Sequence, residues 1–183
     1  MTLDGPRDTL DAALRIAGAL EDSNTPYALG GAIAYGIWAV PRATADVDLN
    51  VFVDDDELER VFSSLRALGV RFDAADAVFK SRRDGLFVAH WGIFRIDVFT
   101  PSIAFSREAE RPRVRREVRG KLVWVLSAES IAVFKLLFFR PKDTIDLERL
   151  VAMRTELAAA PLLIGRGRAL GPRRILLPRR SPA

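Results

Sequence analysis

Cysteine is absent from the 183 residues, and histidine occurs once, at position 90. A disulfide framework, a thiolate metal site and a histidine-rich zinc site are thereby excluded, so any metal must be held by oxygen. Lysine is scarce as well, found only at 80, 121, 135 and 142. No long hydrophobic run is present: the longest apolar stretch, Ser130 to Phe139, is broken by Lys135, whereas a bilayer span needs about 20 mostly apolar residues. The first residues carry Asp4, Asp8 and Asp11 and lack the basic-then-apolar pattern of a secretory signal. A cytoplasmic protein without membrane association is the expectation.

What is there is ordinary globular material. A hydrophobic fraction of 49% and a charged fraction of 28% argue against wholesale disorder, and the length suits one domain with a substantial core. The pI near 9.9 invites a nucleic-acid reading, but the charge is uneven. Residues 151–183 carry seven arginines against Glu156 alone, a net of +6; with +4 for the whole chain, residues 1–150 come to −2. The basicity belongs to the tail rather than to the body.

Leu10, Leu14, Ala17 and Leu20 predict an amphipathic helix over 8–22, with Asp8 as its cap. Tyr27, Ala28 and Leu29 predict a short strand that enters Gly30-Gly31 and then a helix over 32–39. Residues 46–53 alternate, with Val47, Leu49, Val51 and Val53 on one face and Asp46, Asp48 and Asn50 on the other, which is the clearest strand in the chain. A helix over about 55–69 follows, then strands at 86–91, 93–99 and 122–126. Helices are predicted over 131–139 and from Pro141 through Met153. Beyond Leu157 the periodicity dissolves.

Asp46 and Asp48 share a strand face about 6.6 Å apart at Cα, from a rise of about 3.3 Å per residue. Two carboxylates that approach to 4 Å repel by about 1 to 4 kcal/mol, depending on the dielectric, unless a proton or a cation intervenes. Magnesium resolves this and brings substrate phosphates with it, since it is commonly held by one or two carboxylates plus water and phosphate. A calcium loop is the rival: Asp46-x-Asp48-x-Asn50 with Glu57 matches four of its five marks, but the sixth-position glycine is Val51. A solvated acidic sheet face is the plainer alternative. Gly30-Gly31, between strand and helix, can bring bare N–H groups to a phosphate, or simply turn the chain. Asp97 lies inside a strand on the face of Arg95, as a metal ligand or as that arginine's partner.

Gly30-Gly31, Arg42-x-Thr44-x-Asp46-Val47-Asp48 and Asp97, in that order, resemble the nucleotidyltransferase superfamily that includes DNA polymerase beta. The wording is closest to its minimal bacterial branch, the abortive-infection type toxins near the aminoglycoside nucleotidyltransferases. Leu126 to Leu136 and Arg140-Pro141-Lys142-Asp143 with Asp146-Leu147 are similar to the helical part of that branch, and the likeness covers roughly residues 10–152. The resemblance implies an α+β fold, a mixed sheet with flanking helices followed by a short helical segment. The chain then divides into a core over 1–127, a helical segment over 128–155 and, where the periodicity is lost and the sequence departs from the further helix of the family's minimal members, a loosely ordered basic tail over 156–183.

Its implied chemistry is transfer of a nucleoside monophosphate from a nucleoside triphosphate to an acceptor hydroxyl. Asp46, Asp48 and Asp97 would be catalytic and would bind two magnesium ions, or manganese. Gly30, Gly31, Arg42, Thr44 and Lys135 would bind the nucleotide. The acceptor would be tRNA, a partner protein or a small molecule, in keeping with a toxin–antitoxin component. Two readings compete: an inactive nucleotide- or partner-binding module of the same fold, and a basic RNA-binding protein whose acidic strand is incidental. For Lys135 a snorkelling surface lysine is the plain alternative, for Lys142, Asp143 and Asp146 a charged first helical turn, and for His90-Trp91 a structural role.

Overall fold

A computed structural model describes residues 5–139 and 141–153; the basic tail over 156–183 lies outside the described residues. Helix α1, Thr9–Asp22, starts where Asp8 accepts a hydrogen bond from the Asp11 amide at 2.8 Å, and it buries Leu14, Ile16, Ala17 and Leu20. Strand β1, Tyr27–Leu29, is buried throughout and runs into α2, Gly31–Trp38. Strand β2, Asp46–Val51, buries Val47, Leu49 and Val51 and leaves Asp46 and Asp48 half-buried on the other face, as the alternation predicts. Its extended backbone removes the calcium-loop reading, which needs a turn where Val51 continues the strand.

A 3-10 turn, Asp55–Glu57, leads to α3, Leu58–Ala67, and then to α4, Ala74–Asp84. Strands β3, Leu86–Trp91, and β4, Phe94–Phe99, form a hairpin. A short α5, Ala104–Glu108, precedes a second hairpin of β5, Val114–Val118, and β6, Lys121–Val125. Helix α6, Ala128–Phe138, begins three residues ahead of its predicted start and is capped by Ser127, and α7 spans Pro141–Met153. Proline opens α7 where its missing N–H costs nothing.

The strands make one mixed sheet in the order β3-β4-β2-β1-β6-β5. Two pairs are parallel, β2 with β4 and β1 with β6, and the others are antiparallel. Helix α1 packs on α3 and on the central strands, while α2 joins α6 and α7. An aromatic cluster of Phe62, Phe72 and Phe87, with ring centroids 5.0 to 5.8 Å apart, ties α3 to β3. The result is the expected α+β class of mixed sheet with flanking helices. Among the described residues no helix is long and apolar enough to cross a membrane.

His90 and Trp91 take structural positions at the end of β3. The His90 backbone bridges to Arg71, and the buried Trp91 ring lies 4.5 Å beneath the Arg15 guanidinium.

Candidate active site

Adjacent parallel strands hold residues of equal register side by side, and their side chains emerge on the same face. In β2 and β4 this places Asp48 opposite Asp97 and Asp46 opposite Arg95. Asp48 and Asp97 line one cavity of about 250 Å³ together with Gly31, Asn50 and Lys135; Asp46 is not among its lining residues. The pairing of 48 with 97 is a product of long-range register, and only the resemblance pointed to it beforehand.

The glycine turn is built around Asp48. Gly30 donates its backbone N–H to the Asp48 carbonyl at 2.8 Å and ends β1. Gly31, at φ +50°, opens α2, and a β-carbon there would fall 1.7 Å from Asp48 Oδ2. A β-carbon on Gly30 would meet Asn50 Nδ2 at 2.6 Å. Gly31 therefore needs glycine on both steric and backbone grounds, while a side chain at Gly30 would require the Asn50 amide to move. The Asp48 carboxylate consequently stands at the positive end of α2, where negative charge is favoured.

Asp97 is engaged by Arg95, whose Nε donates to Asp97 Oδ1 at 2.7 Å. That hydrogen bond, with the further negative charge of Asp46 and Asp48, holds the guanidinium above its ordinary value. Among the described residues no three Asp, Glu or His side chains already converge as a metal cluster. The donor chemistry is nonetheless that of a hard cation: carboxylate oxygens from neighbouring strands on one face, with no sulfur and no imidazole between them.

The remaining predicted residues are placed as follows. Thr44 Oγ1 accepts from the Asp46 amide at 3.3 Å and donates to the Asp46 carbonyl at 3.1 Å, so it shapes the start of β2. Arg42 reaches away from the carboxylate pair, to Asp146 Oδ1 on α7 at 2.8 Å, with its guanidinium over the Tyr35 ring. Lys135 is buried rather than snorkelling; its Nζ donates to Asp143 Oδ1 at 3.0 Å and to Asp146 Oδ2 at 2.6 Å while its side chain lines the cavity. Asp143, in the first turn of α7 as the plain alternative has it, and Asp146 are both buried partners of this lysine. The side chain of Lys142 lies outside the described residues.

Two cations and two carboxylates thus form a neutral set, buried at Lys135, Asp143 and Asp146 and reaching the surface at Arg42, that joins α6, α7 and the segment before β2. Burial pushes the Asp146 carboxyl up, but the hydrogen bonds from Lys135 and Arg42 outweigh it and leave its pKa below 3.8. Tyr35, whose hydroxyl donates to the Asp146 carbonyl at 3.3 Å, is raised by burial and then by the Asp146 charge.

Sequence reasoning missed the wall facing the aspartates. Leu86, Phe99, Phe134 and Phe138 line the same cavity. Phe99 was legible as the residue two beyond Asp97 on one strand face, and Phe134 and Phe138 as a pair four apart on a helix. Nothing local showed that these two elements meet.

No protein-family model matches the chain, and no curated protein matches it. Solved structures do. The solution structure of the antibiotic-resistance factor ANT(2″)-Ia aligns over 83% of this chain and 86% of its own, with TM-score 0.57 and 23% identity. The crystal structure of ANT(2″)-Ia in complex with adenylyl-2″-tobramycin aligns over 79% and 87%, with TM-score 0.55 and 22% identity. An antigenic nucleotidyltransferase-like protein from Paracoccidioides brasiliensis gives 83% and 78%, TM-score 0.55 and 18% identity. At these identities the likeness is one of architecture. The mixed sheet with its flanking helices, superposing on these neighbours over most of each chain, is the nucleotidyltransferase fold.

Proposed function

We propose that the chain is a magnesium-dependent nucleotidyltransferase, moving a nucleoside monophosphate from a nucleoside triphosphate to an acceptor hydroxyl. The observation that carries the reading is the register of β2 and β4, which sets Asp48 beside Asp97 in a cavity that begins at the Gly31 turn. The fold shared with an enzyme crystallised with an adenylylated antibiotic supports it.

Asp48 and Asp97 would hold magnesium, or manganese, with Asp46 as the third donor; when bound, the metal neutralises phosphate charge and lowers the pKa of the acceptor hydroxyl. Gly30 and Gly31 present backbone N–H groups at the start of α2 for the triphosphate. Asp97 receives the hydrogen bond of the acceptor hydroxyl and takes its proton. The acceptor oxygen bonds to the α-phosphorus as the bond from that phosphorus to the bridging oxygen breaks, and pyrophosphate leaves. Thr44 fixes the backbone at Asp46. Arg42 and Lys135 fix α6 and α7, and Lys135 also lines the cavity at the aspartates. Positioning and charge neutralisation account for the chemistry without a histidine or cysteine nucleophile.

The test incubates the protein and magnesium with each labelled triphosphate and with total tRNA, lysate protein or an aminoglycoside as acceptor. Transfer that persists in Asp48→Asn and in Asp97→Asn would end this reading. The first two acceptors cover a toxin–antitoxin setting and the third a resistance-type activity. One observation favours a second reading, a nucleotide-binding module without turnover: Arg95 already compensates Asp97. Magnesium-dependent triphosphate binding with no pyrophosphate release would select it.

A further inference from the structure

Given nucleotide transfer at Asp48 and Asp97 as proposed above, we infer that the acceptor is a small, uncharged, aromatic or apolar hydroxyl compound, bound in the cleft between β4 and α6. The cavity at the aspartates does not end there. A second cavity, also about 250 Å³, continues past Phe99 towards α5 and shares Asn50, Leu86, Phe99, Phe134 and Phe138 with the first. Together they match the volume of small-molecule sites, roughly 300–1,000 Å³. The same rings line both: Phe99 and Phe138 have centroids 6.5 Å apart, and Phe134 and Phe138 lie 6.4 Å apart and nearly parallel at 16°, with Phe105 backing Phe134 edge-on at 5.0 Å from outside the lining.

Charge decides the class. An ammonium group taken out of water needs a carboxylate partner. Beyond Asp48 and Asp97 the lining carboxylate is Asp84, which is held in two hydrogen bonds by Arg83 at 2.8 and 2.6 Å. A polyanion would need cations, and the lining cation, Lys135, is tied to Asp143 and Asp146. What the far half offers instead is neutral: the hydroxyls of Thr100, Ser102 and Ser106 among apolar side chains. A ligand with an apolar ring on α6 and a hydroxyl directed at Asp97 meets both halves.

The experiment titrates the full chain with 2-naphthol, a neutral fluorescent aromatic alcohol, and reads binding without turnover. Saturable binding is expected, unaffected by spermine and retained in Asp48→Asn. Phe138→Ala and Leu137→Asn should each weaken it about fivefold. Both residues are more than half exposed, at 55% and 54%, so these changes leave the core intact. Absence of saturable binding, displacement by spermine, or unchanged affinity in both variants would overturn the inference. Displacement by ATP with magnesium would overturn it too, because the rings would then hold the nucleotide's base. A chain that binds naphthol but never releases pyrophosphate fails as an enzyme while its cleft keeps the assigned ligand class, so the two failures can be told apart.

Discussion

The Asp48 carboxylate fills the space that a side chain on Gly31 would require, with Oδ2 1.7 Å from where a β-carbon would sit. Residue 31 also holds φ +50°, a left-handed backbone that costs other L-residues roughly 1–2 kcal/mol. Strand and turn are therefore fitted to one another, and neither can change alone.

Gly31→Ala is expected to displace Asp48 and lower stability by at least this backbone cost. Triphosphate binding should fall with it. Calorimetric titration and a thermal melt of the same sample measure both, and unaltered binding would show that the turn does not serve the phosphates.

Removing the guanidinium from Asp97 should have the opposite sign for a divalent ion. An exposed ion pair contributes about 1 kcal/mol, so Arg95→Ala should tighten manganese binding about fivefold. Asp97→Asn should weaken it. Manganese titration followed by electron paramagnetic resonance reads each directly; weaker binding in Arg95→Ala would assign that arginine a supporting role instead.

Lys135→Met leaves Asp143 and Asp146 buried with one cation removed, a loss of about 3–5 kcal/mol for breaking a buried pair. Replacing Asp143 by Leu in the same chain should restore part of that loss, because Asp146 retains Arg42 at 2.8 Å. Urea unfolding of the single and double variants provides the comparison.

Acid should expose the same set. The Asp146 value in the folded chain lies below 3.8, so the stabilisation from Lys135 and Arg42 is whole above pH 3.8 and is lost as pH falls through the lowered folded value. Urea midpoints from pH 6 downward should drop in that acid window. In Asp146→Asn the drop should be smaller, from a lower starting stability.

Much of this architecture was legible because local pattern and tertiary role agree. β2 alternates since one face is core and the other is site, and Asp8 caps α1 as its position suggests. What escaped notice lacked that agreement. Strand β5, Val-Arg-Arg-Glu-Val, is an edge strand with three exposed charges at its centre, so it shows no buried face. Helix α4 buries only Ala77 and Ser81, too little apolar surface to set a period. In the site, the paired aspartates stood out by spacing, whereas the ion pairs of Lys135 did not, because its partners lie 8 and 11 residues away on another helix. The partner of Arg42 was hidden for the same reason, its carboxylate being 104 residues distant.

Strand β2 lies between β1 and β4, so the carboxylate pair is anchored in the interior of the sheet by ladders on both sides. The aromatic wall draws instead on α6, whose Phe134 and Phe138 can be exchanged without shifting any strand register, while Phe99 at the end of β4 stays fixed in the ladders to Asn50 and Leu86. Under the proposed function, recognition is thus mechanically separable from reaction: exchanging the rings of α6 alone would re-address the transfer to a different recipient while leaving both aspartate strands in place.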